Sequence, residues 1–182
     1  MAKIVVLGRF QPLHNGHAHL ITSAAEHGDE ITVAIGSSEA PESADNPWSA
    51  EERSEMVTLW AQSAGIEVEV VCISDIDDPP NWVAHASRFH GEGVLVTSDA
   101  TTAELYRDSG WKVIEITMDE RQNLEGWRVR ETLKMLSTID DDEAFASVME
   151  NSLPQVIIEW FLADHYRVYR LAILGPDVEP VV

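Results

Sequence analysis

Ile4-Val5-Val6-Leu7-Gly8-Arg9-Phe10-Gln11-Pro12-Leu13-His14-Asn15-Gly16-His17 joins a short apolar run to a turn rich in polar and ring-bearing side chains. Four consecutive branched aliphatic residues ending at a glycine read as a strand buried on both faces, because such strands lack the polar alternation of half-exposed ones. From residue 16 to residue 27 the spacing becomes helical. A buried strand that feeds a helix through a tight turn opens a parallel α/β sheet.

The same alternation recurs along the chain. Residues 31–35, 66–73, 94–96 and 113–116 read as further short strands, and 50–62, 82–89 and 101–109 as further helices. Ser49 and Glu52 form a capping box just after Pro47, Asp99 is placed to cap the fourth helix, and Gly110 stands where a helix C-terminal glycine belongs. Five such units imply a Rossmann-like, doubly wound parallel sheet with right-handed crossovers. After Gly126 only helices are expected, over 127–136, 143–149 and 153–169, the last opened by Ser152 and Pro154. The expected organisation is one domain: an α/β nucleotide-binding core over 1–125, C-terminal helices over 126–174 and a loose tail over 175–182.

Composition narrows the function. The 182 residues carry 32 acidic and 12 basic side chains, a formal charge of −20. Such a surface repels nucleic acid and anionic membranes, so neither is an expected partner. Solubility and a salty cytoplasm are the two readings of the acidity itself. Cys72 is the only cysteine, which excludes a disulfide framework and a cysteine-rich metal site. No apolar run is long enough to span a bilayer, and eight residues before the turn are too few for a signal peptide, so the expected location is the cytoplasm. An acidic chain that handles polyphosphate must gather its few cations in one place.

In a doubly wound sheet the ligand lies beyond the C-terminal strand ends, and there the cations do gather. Gly8 lets the main chain approach a ligand, and Arg9 can fork onto phosphate oxygens. His14 and His17 are three apart at a helix start, with Gly16 keeping the surface between them open. The helix N-terminus adds unpaired N–H groups. For the bare spacing, two surface histidines or half of a metal site are the competing readings, and no third ligand is fixed nearby by sequence. Residues 121–130 repeat the theme: Arg121, Arg128 and Arg130 crowd around Gly126 ahead of a helix, which favours an anion site, although Arg128 also fits a solvated face.

The first turn resembles the (H/T)xGH signature of the nucleotidylyltransferase superfamily. In its longer form, GRFQPLHNGH, it is similar to archaeal-type nicotinamide mononucleotide adenylyltransferases. Ile35-Gly36-Ser37-Ser38, Asn46-Pro47-Trp48-Ser49-Ala50-Glu51-Glu52-Arg53, and Asp75-Ile76 followed by Trp82-Val83 extend the likeness, which covers about residues 3 to 171. Leu124, Gly126, Val129 and Arg130 match the distal ISGTxIR motif, with Arg121 at the upstream phosphate-binding arginine.

The resemblance implies in-line attack of an acceptor phosphate on the α-phosphorus of ATP. His14, His17 and Arg130 would be the catalytic groups. Gly8, Arg9, Phe10, Gln11, Gly16, Arg121, Gly126 and Val129 would hold ATP, and Gly36, Ser37, Trp82 and Asp99 the acceptor. Mg2+ would arrive mainly on the triphosphate, no protein metal site is expected, and assembly into multimers is implied. Glu125 and Trp127 depart from the family's Ser and Thr, Thr97-Ser98-Asp99 from its Ser-Gly-Asn, and Pro79 from its carboxamide-side asparagine. Phosphate handling is therefore expected intact and acceptor recognition altered. Nicotinamide mononucleotide leads. Pantetheine phosphate, flavin mononucleotide, cytidylyl transfer to an alcohol phosphate, and a nucleotide-binding regulator without turnover stay open. His85, His90 and His165 are read as structural or surface residues.

Overall fold

The computed structural model describes residues 3–119 and 124–175. Strands β1 (Lys3–Gly8), β2 (Glu30–Ile35), β3 (Glu69–Cys72), β4 (Val94–Thr97) and β5 (Lys112–Glu115) form one parallel sheet in the order β3-β2-β1-β4-β5. Val5 lies opposite Thr32 on one side and opposite Leu95 on the other. The order reverses between β1 and β4, so the crevice of this doubly wound sheet opens beyond Gly8 and Thr97.

Helices α1 (Asn15–Ala25), α2 (Ala50–Ala64), α3 (Trp82–His90) and α4 (Ala100–Asp108) connect the strands, with a 3-10 turn at Pro79–Asn81 leading into α3. The helices α5 (Gly126–Leu136), α6 (Asp142–Met149), α7 (Gln155–Ala163) and α8 (Tyr166–Ile173) follow. The two-residue period of β1 divides the core. Ile4 and Val6 join the large apolar cluster built with α1, α2 and α5 to α8, whereas Val5 packs with Leu95, Val83 and Tyr106 under α3 and α4. Each such fully buried aliphatic side chain contributes roughly 1.5–3 kcal/mol.

The local signals act as read. Ser49 and Glu52 close a reciprocal capping box, Asp99 accepts from Thr102 N–H at 2.7 Å, and Gly110 takes a left-handed φ of 84° after α4. Two expectations need correction. The third strand starts at Glu69 rather than at residue 66, because left-handed Gly65 and the Ile66 N–H, bonded to Ala61 O, close α2. The single helix expected over 153–169 is two. Extended Asp164 accepts the Tyr166 N–H on its own carboxylate at 3.1 Å, an Asx turn that stops α7 and lets α8 set off anew. Residues 176–182 of the expected tail lie outside the described residues.

Candidate active site

The turn after β1 is built by close packing of its own residues. A Cβ on Gly8 would meet the Phe10 ring at 3.0 Å, and Phe10, at a left-handed φ of 53°, buries that ring completely. The chain then reaches His14, the N-cap of α1. His14 Nδ1 accepts the His17 N–H and His17 Nδ1 accepts the His14 N–H, each at 3.4 Å. The two imidazoles stack with centroids 3.8 Å apart and 20° between planes, and Phe10 flanks His17 at 4.6 Å. With both Nδ1 atoms accepting, the neutral rings carry their proton on Nε2, so each offers one N–H donor. Burial, then the Arg130 guanidinium, pushes the His14 pKa down to about 4. His17 lies well below its ordinary value through burial and then His14, with the Pro12 carbonyl opposing. Both rings are therefore neutral hydrogen-bond donors at pH 7.

Arg130 arrives from the other end of the chain. It sits on the buried face of α5 beside Val129 and Leu133, and its Nη1 donates to Gln11 O at 2.8 Å. A Cβ on Gly126 would lie 3.3 Å from that guanidinium and 3.4 Å from Gln11 O, so glycine is what lets the start of α5 approach the turn. The carboxylate of Glu125 is paired with Arg128 at 2.9 Å on the exposed side, where Arg128 also lies over Trp127. A cavity of about 450 Å³ opens beside Arg130, lined by Ala44, Lys134, Met135 and Leu171 among others.

The residues between β2 and α2 form the third wall. Arg9 donates to Asp45 O at 2.8 Å. Gln11, expected to face phosphate, turns its carboxamide into this wall: Nε2 donates to Asn46 Oδ1 and Trp48 O, and Oε1 accepts the Trp48 N–H. Its contribution at the turn is the carbonyl that meets Arg130. Arg53 is the residue that the motif reading did not single out. Fully buried on α2, it donates to the carbonyls of Ser49, Arg9, Gly36 and Ser37 at 2.8–3.2 Å, tying the β1 turn to the β2 turn. Burial pushes its pKa below the ordinary arginine value and nearby Arg9 adds to that, while Cys72, Asp75 and Glu51 oppose. The signal was present in the sequence: residues 53, 56, 57 and 60 share one buried helical stripe, and Arg53 is its one cation.

Residues 5–126 match the cytidylyltransferase-like family. A nicotinamide-nucleotide adenylyltransferase of Haloarcula marismortui is 30% identical over 154 residues, 84% of this chain and 79% of that protein. The chain belongs to the cytidylyltransferase-like family. A nicotinamide-nucleotide adenylyltransferase of Methanococcus aeolicus is 27% identical over 97% of this chain and 98% of its own. A bifunctional NMN adenylyltransferase/ADP ribose pyrophosphatase of Francisella tularensis, crystallised with AMP and a manganese ion, shares the fold with a TM-score of 0.62 and 22% identity. That likeness covers 97% of this chain and 57% of the longer protein.

Within this family member the turn histidines, Arg9, Gly16, Gly126, Val129 and Arg130 come together at the β1 end of the crevice. Gly16 is buried in the first turn of α1, and Val129 is wholly core. Arg121 lies outside the described residues. The residues expected to meet the acceptor are arranged differently. Gly36 N–H donates to Gly8 O, and Ser37, at a φ of 50°, gives its carbonyl to Arg53, so both act through main chain. Trp82, half-buried at the start of α3, packs over Ala34, Ile73 and Ala86 and lies 5.9 Å from the His85 ring. Asp99 Oδ2 accepts from both the N–H and the hydroxyl of Thr102, which occupies it as the α4 cap. His90 is buried between Gly91 O and the Tyr106 hydroxyl. Among the described residues no group of three His, Cys, Asp or Glu side chains is arranged to hold a metal ion, and no helix is long and apolar enough to cross a membrane.

Proposed function

We propose that this protein transfers the adenylyl group of ATP to nicotinamide mononucleotide, forming NAD and releasing pyrophosphate. The observation that carries the reading is the approach of Arg130 to Gln11 O, which brings a buried guanidinium and the start of α5 against two stacked, neutral imidazoles. The names borne by the haloarchaeal and methanococcal relatives support the choice of acceptor.

The acceptor phosphate attacks the α-phosphorus in line with the departing pyrophosphate, and no covalent enzyme intermediate is needed. Catalysis then consists of positioning and charge stabilisation. His14 and His17 donate from Nε2 to phosphate oxygens as charge builds, and Arg130, Arg9 and Arg121 offset the charge of the remaining oxygens. A neutral imidazole donates from Nε2 without the desolvation cost that a buried imidazolium would carry. Mg2+ arrives on the triphosphate, whose negative charge it partly neutralises. Gly36, Ser37 and Trp82 border the acceptor, Trp82 by stacking on its ring.

Purified protein incubated with MgATP and nicotinamide mononucleotide should yield NAD and pyrophosphate in equal amounts. Pyrophosphate released only with pantetheine phosphate, flavin mononucleotide or an alcohol phosphate would replace the acceptor. ATP binding without pyrophosphate from any acceptor would replace the enzyme with a nucleotide-binding regulator.

A further inference from the structure

Helix α8 packs against α5 and holds the β2–α2 segment by its main chain and by one buried guanidinium. Arg170 forks onto Glu52, Nη2 to Oε1 at 2.7 Å and Nη1 to Oε2 at 2.9 Å, and Nη1 also donates to Pro47 O at 2.9 Å. One turn earlier, Arg167 O accepts the indole N–H of Trp48 at 2.9 Å. Pro47 and Trp48 are thus held from behind by α8 and from in front by the Gln11 carboxamide. The same Gln11 gives its carbonyl to Arg130, and Asp45, two residues before Pro47, gives its carbonyl to Arg9.

We propose that Arg170 is a positioning residue for triphosphate binding: it fixes residues 45–48 and, through them, the two arginines Arg9 and Arg130. The fork is specific. A lysine would keep the charge but could not bridge both carboxylate oxygens and the Pro47 carbonyl in one plane. Glu52 is also the capping-box residue that accepts the Ser49 N–H, so the fork and the start of α2 are set together. Among the described residues, Arg170 Nε is buried without a hydrogen-bond partner, so the guanidinium takes its orientation from Glu52 and Pro47 at the expense of its own third donor.

The proposal rests on ATP as the nucleotide, and calorimetric titration of MgATP tests it apart from turnover. Arg170→Lys and Glu52→Gln should weaken MgATP binding about tenfold and raise the ATP KM correspondingly, with the KM for the acceptor unchanged. Arg167→Ala is the control. It removes the stacking on Trp160 and the contact with Glu55 that anchor the α8 side of the fold, and it leaves the Arg167 carbonyl on Trp48. It should lower the thermal midpoint while keeping wild-type ATP affinity. Wild-type affinity in Arg170→Lys, or an equal loss in Arg167→Ala, would overturn the proposal. Should Arg170→Ala fail to fold, the lysine and glutamine variants still decide. If the wild-type chain binds MgATP but makes no NAD, the acceptor assignment fails, and the affinities still report on Arg170.

Discussion

The two ends of the crevice are built on opposite principles. At the β1 end, three side chains are fixed by residues far along the chain: Gln11 by Asn46 and Trp48, Arg53 by three carbonyls of two turns, Arg130 by Gln11. At the β3–β4 end the hydrogen bonds are local, although Trp82 also packs on Ala34 of β2 and on Ile73. Asp99 bonds three residues ahead to Thr102, Asn81 three residues back to Asp78, and Trp82 lies over its own helix neighbour His85. Long-range closure ties the first region to distant parts of the chain, whereas the hydrogen-bonding side chains of the second can change residue by residue. Chemistry that must place oxygens within tenths of an ångström belongs in the first; choice of acceptor belongs in the second.

Substitutions at the two ends should separate accordingly. The largest effect on turnover belongs to His17→Ala and Arg130→Met, each expected to lower kcat by a hundredfold to a thousandfold, about 2.7–4 kcal/mol of barrier. Steady-state kinetics on folded protein checks this, and a loss below tenfold would place the chemistry elsewhere. Arg53→Met should act on stability first. It strips donors from four main-chain carbonyls and is expected to cost at least about 3 kcal/mol in denaturant unfolding. A cost below about 1 kcal/mol would mean that those carbonyls find water instead.

Protonation probes the same end. The His14 pKa is lowered on folding, to about 4 from an ordinary 6.5, so above pH 6.5 the ring is neutral in both states and contributes nothing. Between pH 6.5 and about 4 only the unfolded chain takes the proton, and stability falls as pH falls, by up to about 3 kcal/mol for this one residue. Unfolding of His14→Asn should therefore show a shallower decline over that window than wild type; parallel curves would mean that the imidazole is not buried neutral. At the other end the effects are smaller. Asp99→Ala should remove a helix cap worth about 1 kcal/mol and leave the ATP KM alone. Trp82→Ala should raise the acceptor KM up to about tenfold, the stacking worth of one aromatic ring, with the ATP KM again unchanged. A matching rise in both KM values would erase the distinction between the two ends.

The sheet was legible because each strand is an apolar run with a clear stop, and the caps because Ser49, Asp99 and Gly110 act on main chain within a few residues. The meeting of the first turn with Arg130 was legible from the motif resemblance and from the arginines crowded around Gly126 ahead of a helix, although 119 residues separate Gln11 from Arg130. What escaped were side chains whose partners carry no sequence letter. Arg53 bonds only to main-chain carbonyls and Gln11 mostly to the main chain of Trp48, groups that every residue offers, so nothing in composition marks which ones they take. The break between α7 and α8 escaped because the apolar spacing runs on past Asp164, and the bond of its carboxylate to Tyr166 N–H decides.

A crystal structure with a non-hydrolysable ATP analogue and Mg2+ would show whether one triphosphate meets both halves of the site. One triphosphate should lie with its oxygens within about 3.2 Å of Nε2 of His14 or His17 and of the Arg130 guanidinium at once. A triphosphate bound away from the stacked imidazoles, or one that reaches them while Arg130 stays turned away, would contradict it.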